Sequence, residues 1–303
     1  MDSYTHDMKL WLDQRFRMTD KEGIYHAHQP IYGFRKGHSE PGTIARYIIT
    51  YQIMKTLSHL EFTSLLDVGG AEGYKAALAR LIFNASVRSA DLSGEACSRA
   101  KEIFDVDGEP VDVHQLPYND NEFDVVLCNE TLEHVPDLHK ATNELIRVCS
   151  KAVIITVPHE PKEFIEDNIK EKIPHSHIHC FDTDSFDFVL PGAVKVISRR
   201  FLNPYLKLIA GILDAMKIEQ SKNYPQFLVN NYNSCLPLFR LVFGLRSAGM
   251  LMRLDDYISN LMPSYSGMSF ILLKDENCYS THQKKHITTQ QIINFKVPYY
   301  YLR

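Results

Sequence analysis

The strongest constraint on this chain is a regular alternation of short apolar runs and helical stretches between residues 63 and 157. Strands are expected at 63–69 (TSLLDVG), 86–92 (SVRSADL), 109–114, 123–129 (FDVVLCN) and 152–157 (AVIITV). Helical patterns separate them at about 73–83, 93–104 and 137–149. Strands joined by crossover helices pair in parallel, and such a sheet is apolar on both faces, so helices must cover both. Further runs at 193–199 and 267–273 (GMSFILL) bring the expected strands to seven. In such open α/β sheets, ligands bind beyond the carboxyl ends of the strands, where the strand order reverses. The residues just after each strand are therefore the ones to read for chemistry.

The rest of the chain divides around this alternation. Residues 1–42 are rich in histidine and aromatics and broken by Pro30, Gly33, Pro41 and Gly42; they read as a lid, with Tyr25, Tyr32 and Phe34 over the acceptor side. The core is expected over 43–200 and opens with a helix whose apolar stripe is Ile44, Tyr47, Ile48 and Tyr51. A helical, substrate-side insertion follows at 201–262, then the last strand and a tail at 263–303 whose end has no readable pattern. The 303 residues are 45% hydrophobic and 23% charged, which suits a globular domain and excludes a disordered one. No run of 18 apolar residues exists, the first residues are too charged for a signal peptide, and the six cysteines form no CxxC pair. The expected location is the cytoplasm. Residues 195–253 hold nine Lys or Arg against Asp214 and Glu219 in a chain of net charge −4. Together with the Leu, Phe and Met of 201–253, that excess suits either a cap packed on the sheet or an amphipathic face resting on a membrane surface. Nucleic acid is not an expected partner.

After the first strand comes Asp67-Val68-Gly69-Gly70-Ala71-Glu72-Gly73. Glycines there permit a sharp turn and close ligand approach, and the next helix offers free N–H groups. The second strand ends in Asp91-Leu92, where a carboxylate can accept both hydroxyls of a ribose. Asp112-Val113 ends the third, placed to meet an adenine, and Asn129 ends the fourth. On these residues alone the ligand is a nucleoside, and a nicotinamide enzyme obeys the same rule.

The motifs LLDVGGAEGY, SADLS, VHQLPYNDNEFDVVLCNETLEHVPD and AVIITVP, in this order, resemble the class I S-adenosylmethionine-dependent methyltransferases, in particular the small-molecule branch. The resemblance covers roughly residues 60–190. It implies a Rossmann-like seven-stranded fold, S-adenosylmethionine as cofactor, and cofactor contacts from Asp67, Gly69, Gly70, Ala71, Gly73, Asp91, Leu92, Asp112, Val113 and Asn129. One departure is Ala71, where the family usually carries a third glycine; alanine resists positive φ, so an altered loop is expected.

Glu130, Glu133 and His134 stand at i, i+3 and i+4 just after the fourth strand, and a helix there would put all three on one face. His175, His177 and His179 follow the fifth strand at alternate positions, which in an extended stretch would point one way. The Glu-x-x-Glu-His pattern with a later histidine resembles metal-assisted O-methyltransferases of ubiquinone synthesis and of small-RNA ribose ends. That resemblance implies a divalent cation (Mg, Mn, Fe or Zn) on Glu130, Glu133, His134 and either His177 or His179, and a small hydroxylated acceptor, catechol-like or a sugar diol. Without a metal, Glu133 and His134 simply solvate a helix start, and His134 or His159 serves as the general base. N-methylation of a small amine, or a non-catalytic nucleoside-binding subunit, are the alternative readings.

Overall fold

A computed structural model describes residues 3–21, 23–33, 43–171, 175–189, 195–204, 225–259, 261–262 and 264–297. The expected lid residue Phe34 and the 205–224 part of the insertion lie outside the described residues.

Seven strands form one sheet: β1 (Ser64–Val68), β2 (Ser86–Asp91), β3 (Gly108–Pro110), β4 (Phe123–Asn129), β5 (Cys149–Pro158), β6 (Lys195–Phe201) and β7 (Gly267–Leu273). Their order is β3-β2-β1-β4-β5-β7-β6. The first five run parallel, and β7 runs antiparallel to both β5 and β6. The strands alternate strictly between two apolar layers. Leu65, Val125, Leu127, Ile154 and Ile271 face one core, and Leu66, Val126, Cys128, Ile155 and Phe270 face the other. This period of two on a sheet covered twice is why the strands read as continuous apolar runs.

The first core is closed by α2 (Thr43–Leu57), α3 (Tyr74–Phe83), the long α7 (Gln226–Ile258) and the short α8 (Thr289–Asn294). The second is closed by α5 (Leu138–Val148), which buries Ala141, Leu145, Ile146 and Val148 in a helical stripe, together with Phe181 and Phe186. Helix α4 (Gly94–Phe104) packs beside α3 through Ala76, Ala77 and Ala100. Helix α7 buries Ala248, Leu251, Met252 and Asp255 and leaves Met250, Leu254 and Tyr257 exposed. The Asp255 carboxylate accepts the N–H groups of Leu202 (2.9 Å) and Asn203 (2.7 Å), which ties α7 to the end of β6. Among the described residues, no helix is long and apolar enough to cross a membrane. Cys97, Cys128, Cys149 and Cys278 are buried thiols, whereas Cys180 and Cys235 are exposed.

Several elements differ from expectation. The third strand is three residues rather than 109–114, because Asp112 bends the chain: its carboxylate accepts the His114 N–H, and Gln115 N–H bonds back to its carbonyl. The sixth runs over Lys195–Phe201 rather than 193–199, and residues 190–194 lie outside the described residues. Residues 3–17, for which no element was expected, form α1 (Ser3–Arg17). The tail beyond Asp275 has work after all. It bridges Leu60 through Tyr279 and sends Ile292 and Ile293 of α8 into the first core.

Gly73 begins α3 in the left-handed region (φ 73°), and a Cβ there would sit 2.8 Å from the Ala100 Cβ on α4. The Gly73→Ala variant should therefore lose about 1–3 kcal/mol of stability from strain plus overpacking. An unchanged urea midpoint would show that α3 and α4 have slack where the structure has contact.

Candidate active site

At the carboxyl ends of β1 to β5 lies a cavity of about 730 Å³, at the reversal of strand order between β1 and β4. Its wall carries one turn from each strand: Gly69 and Ala71 after β1, Asp91 and Leu92 after β2, Val111 to His114 after β3, Asn129 to His134 after β4, and His159 to Pro161 after β5.

The turn after β1 is shaped by what cannot fit. Gly69 takes φ 73°, and a Cβ on it would come within 2.0 Å of the Thr131 hydroxyl in the turn after β4. Gly70 has no room for a Cβ against Ser89 Oγ. Gly70 and Gly73 serve packing and do not reach the cavity, and Asp67 is likewise buried beneath its wall. Ala71 does adopt a left-handed conformation (φ 49°). An alanine there costs roughly 1–2 kcal/mol, which is opposed by a hydrogen bond from its N–H to Asp91 Oδ2 at 2.9 Å. The other oxygen of Asp91 accepts the Ser93 N–H at 2.9 Å. Both carboxylate oxygens thus face the cavity edge with fixed geometry. Asp112 is held in the same way: its Oδ1 meets His114 Nδ1 at 2.6 Å, and the Asp137 N–H donates to His114 Nε2. Asn129 Oδ1 accepts the Thr156 hydroxyl at 2.6 Å and so anchors β4 to β5 at the cavity floor.

The acceptor side departs from the helical spacing. Glu130 sits in the left-handed region (φ 49°) and only Leu132–His134 form a single 3-10 turn, so the three residues do not share one helical face. The group that converges is Glu133, His134 and His177, with one ligand atom of each within 4.8 Å of the others. The loop that brings His177 is tied down by three bonds. Ile178 N–H donates to the Glu133 carbonyl (2.8 Å), His134 Nδ1 to the Ser176 carbonyl (3.2 Å), and Asn168 Nδ2 to the His177 carbonyl (3.2 Å). His177 Nδ1 meets Glu160 Oε2 at 2.5 Å. His179, an expected ligand, is not in the cluster: its Nε2 is spent on the Val135 carbonyl at 2.6 Å. Nor do the three loop histidines point one way. His175 takes φ 61°, which breaks the strand alternation, and its ring stacks on Trp11 with centroids 3.5 Å apart. His159 stacks on Tyr265, and its Nδ1 donates to the Phe181 carbonyl at 2.7 Å.

Buried charge surrounds this group. Burial, and then the neighbouring Glu130, hold the Glu133 carboxyl well above the usual carboxylate range. Burial raises Glu130 as well, against the pull of Lys75, His177 and Arg46. Oxygens of both carboxylates are buried without a hydrogen-bond partner, as is one of Glu72. Burial, and then His177, pull His134 down to about 4, so at neutral pH its imidazole is uncharged and able to bind a metal or a proton. A donor set of one carboxylate oxygen and two imidazole nitrogens, with unpartnered carboxylate oxygens beside it, fits a divalent cation. Burial pushes Asp67 up to about 6 and pulls Lys75 down to about 8.

The sequence did not single out Glu72, Lys75, Arg46, His28 or Glu160. Glu72 Oε1 accepts the His28 N–H (2.6 Å), Lys75 donates to Gln29 Oε1 (2.6 Å), and Arg46 donates to the His28 carbonyl. These bonds hold residues 28–29 against the cavity. The only signal was a glutamate inside the glycine turn. Two of the expected lid residues lie elsewhere: Tyr25 stacks under the Arg99 guanidinium and bonds Glu102, and Tyr32 is in the first core. The cavity is covered instead by α1, through Tyr4, Met8, Trp11, Leu12 and Phe16, and Asp13 of α1 accepts the Ser93 hydroxyl at 2.6 Å.

A seven-stranded sheet with a glycine turn after β1, Asp91 ending β2 and Asp112 just beyond β3 is the arrangement that the resemblance to class I methyltransferases implied. Residues 66–157 match the profile of the family described as the methyltransferase domain, and the sheet around them has the Rossmann-like α/β fold of S-adenosylmethionine-dependent methyltransferases. An uncharacterized protein of Methanocaldococcus jannaschii is 32% identical over 126 residues, covering 38% of this chain and 55% of its own length. The chain thus spans about half of that curated relative. Among solved structures, geranyl diphosphate C-methyltransferase from Streptomyces coelicolor A3(2), in complex with Mg²⁺, geranyl diphosphate and S-adenosyl-L-homocysteine, shares the fold with a TM-score of 0.52. It is 16% identical over 90% of this chain and 99% of that one. A geranyl diphosphate methyltransferase structure with GPP and sinefungin gives a TM-score of 0.50 at 17% identity over 90% and 100% of the two chains.

His28 yields a pH prediction. Its Nε2 accepts from Arg15 Nε at 3.1 Å, and burial with the nearby arginines lowers it from 6.5 to about 3. An unfolded His28 would bind a proton near 6.5 and the folded one would not, so its contribution to stability is lost as pH falls from 6.5 toward 3. The melting temperature should drop more steeply over that window in the wild-type protein than in His28→Gln, which keeps a neutral acceptor. Parallel curves would remove His28 as a cause.

Proposed function

We propose that this chain is a cytoplasmic S-adenosylmethionine-dependent O-methyltransferase acting on a small hydroxylated acceptor, a catechol-like ring or a sugar diol, with a divalent cation at the acceptor side. The observation that carries the reading is the convergence of Glu133, His134 and His177 on the wall of the same cavity that Gly69, Asp91 and Asp112 line. Cofactor residues and cation ligands that share one cavity fit a methyl transfer to an oxygen held beside the cofactor.

The residues divide the labour accordingly. Asp91 would accept the ribose hydroxyls, Gly69 and Ala71 let the backbone approach the cofactor, and Asp112 and Val113 would flank the adenine. S-adenosylmethionine supplies an electrophilic methyl group on a sulfonium, whose sulfur keeps the electron pair of the broken S–C bond. Glu133, His134 and His177 would hold the cation, with Glu130 beside them. A bound cation supplies Lewis acidity that lowers the pKa of an acceptor hydroxyl. His159, with Nδ1 committed to Phe181, keeps Nε2 to receive the proton that leaves the acceptor as the O–C bond forms. Trp11 and Met8 of α1 exclude water from the cavity.

Two tests follow. Asp91→Ala should weaken binding of S-adenosyl-L-homocysteine by about 2–3 kcal/mol in calorimetry, the loss of a charged hydrogen-bond partner. Affinity unchanged in that variant, or tight NADH binding with none of the methyl donor, would sink the cofactor assignment. Chelation, or Glu133→Ala, should abolish turnover while cofactor binding persists, and added Mn²⁺ or Mg²⁺ should restore the chelated wild type. Full turnover without metal would point instead to N-methylation of an amine, with Glu130 and Glu133 as its carboxylate partners.

A further inference from the structure

Glu160 plays no part in the chemistry described so far, yet it makes one of the shortest side-chain contacts in the cavity wall. It stands two residues beyond Pro158, the end of β5, and its carboxylate meets His177 Nδ1 at 2.5 Å. The two side chains are similarly shielded, 27% and 28% exposed, so neither moves freely in solvent. The His177 backbone is fixed independently, because Asn168 of α6 (Lys162–Glu171) donates to its carbonyl and the next residue donates to Glu133. With the backbone held and Nδ1 engaged, the only ring nitrogen of His177 left for another partner is Nε2.

We infer that Glu160 is a positioning residue for a cation site: it fixes His177 in the tautomer with a proton on Nδ1, so that the Nε2 lone pair is presented beside Glu133 and His134. This inference rests on the cation-site reading given above. The logic is that of a carboxylate–histidine–metal relay, in which the carboxylate orients the imidazole and increases its donor strength. The two histidines of the group are held in parallel ways. His134 donates Nδ1 to the Ser176 carbonyl and His177 donates Nδ1 to Glu160, which leaves both Nε2 atoms for one ligand. The rings lie 4.9 Å apart, edge to face. The groups around His177 are Glu160, Glu133, Glu130 and His134, three carboxylates for two imidazoles, and Glu133 contributes a buried oxygen with no hydrogen-bond partner. Such a gathering of carboxyl groups around two imidazole nitrogens suits a dication. His179 does not share this role, since no ligand atom of it joins the Glu133, His134 and His177 group.

The test is a Mn²⁺ titration of the metal-stripped full chain, read by the loss of free-ion paramagnetic resonance signal, for wild type and the Glu133→Ala, Glu160→Ala and Glu160→Gln variants. Affinity for S-adenosyl-L-homocysteine and the melting temperature of the metal-free protein serve as controls. Glu160→Ala should weaken Mn²⁺ by about 10- to 100-fold and leave both controls where they were. Glu160→Gln keeps an acceptor for Nδ1–H but loses the charge, so its loss should be smaller, roughly threefold or more. That variant also carries the test if the alanine form does not fold. Wild-type affinity in the Glu160 variants, with Glu133→Ala unable to bind, would overturn the role of Glu160 alone. Equal damage to cofactor affinity and melting temperature would make it a structural residue. A wild-type protein with no saturable Mn²⁺ site would refute the cation-site reading and this inference with it.

Discussion

The turn after β1 and the turn after β4 lie in direct contact, and the missing Cβ of Gly69 is what allows it. Any side chain at that position would overlap Thr131 Oγ1. The approach is tight because β1 and β4 are hydrogen-bonded neighbours whose connections leave the sheet on opposite sides, so their carboxyl ends open one cleft. One wall of that cleft carries Asp91 and Asp112; the other carries Glu130, Glu133 and His134. In the proposed function, a cofactor on the first wall and an acceptor on the second would be brought within reach of each other by that one contact.

The cavity floor gathers charges that a fold selected for stability alone would avoid. Asp67 lies near the end of β1, Glu72 and Lys75 follow it, Arg46 comes from α2, and Glu130 and Glu133 follow β4; of these, Asp67, Glu72, Lys75 and Glu133 are nearly inaccessible. Burying ionisable groups is costly unless they are paired, and several carboxylate oxygens here have no partner. Perturbed groups clustered in a cleft are a mark of function. Part of the charge is used within the fold: Glu72, Lys75 and Arg46 seize residues 28–29, so the N-terminal segment is fastened by two residues that line the cavity, Lys75 and Arg46, and by Glu72 beneath its wall. Helix α1 then lies over the opening, and Trp11 stacked on His175 joins this cover to the loop that carries His177.

Much of the fold was legible because it is governed by local pattern. The alternation from Ser64 to Pro158 identified five parallel strands and the helices between them, and the glycines after β1 marked the turn that shapes the cavity. Asp91 and Asn129 could be found as strand-end residues because strand ends are set by the sequence near them, whereas Asp112 stands two residues past the end of β3. The reading failed where local pattern and tertiary packing diverge. Glu130 looked like the first residue of a helical face, but the chain enters a left-handed conformation there and only one 3-10 turn follows. His179 looked equivalent to His177 until the Val135 carbonyl claimed it.

The sequence by itself determined the α/β class, the succession of the first five strands along the chain and the residues that end β2 and β4, since hydrophobic periodicity and glycine placement act over a few residues. The tertiary structure alone decided which histidine joins Glu133 and His134, which carboxylate orients it, and which segment covers the cavity. Those outcomes depend on contacts such as Glu160 with His177 and Trp11 with His175, the second of which joins residues 164 positions apart. No periodicity within a single element encodes such a pairing. It exists only once the sheet has placed the ends of β4 and β5 side by side and α1 has folded across them.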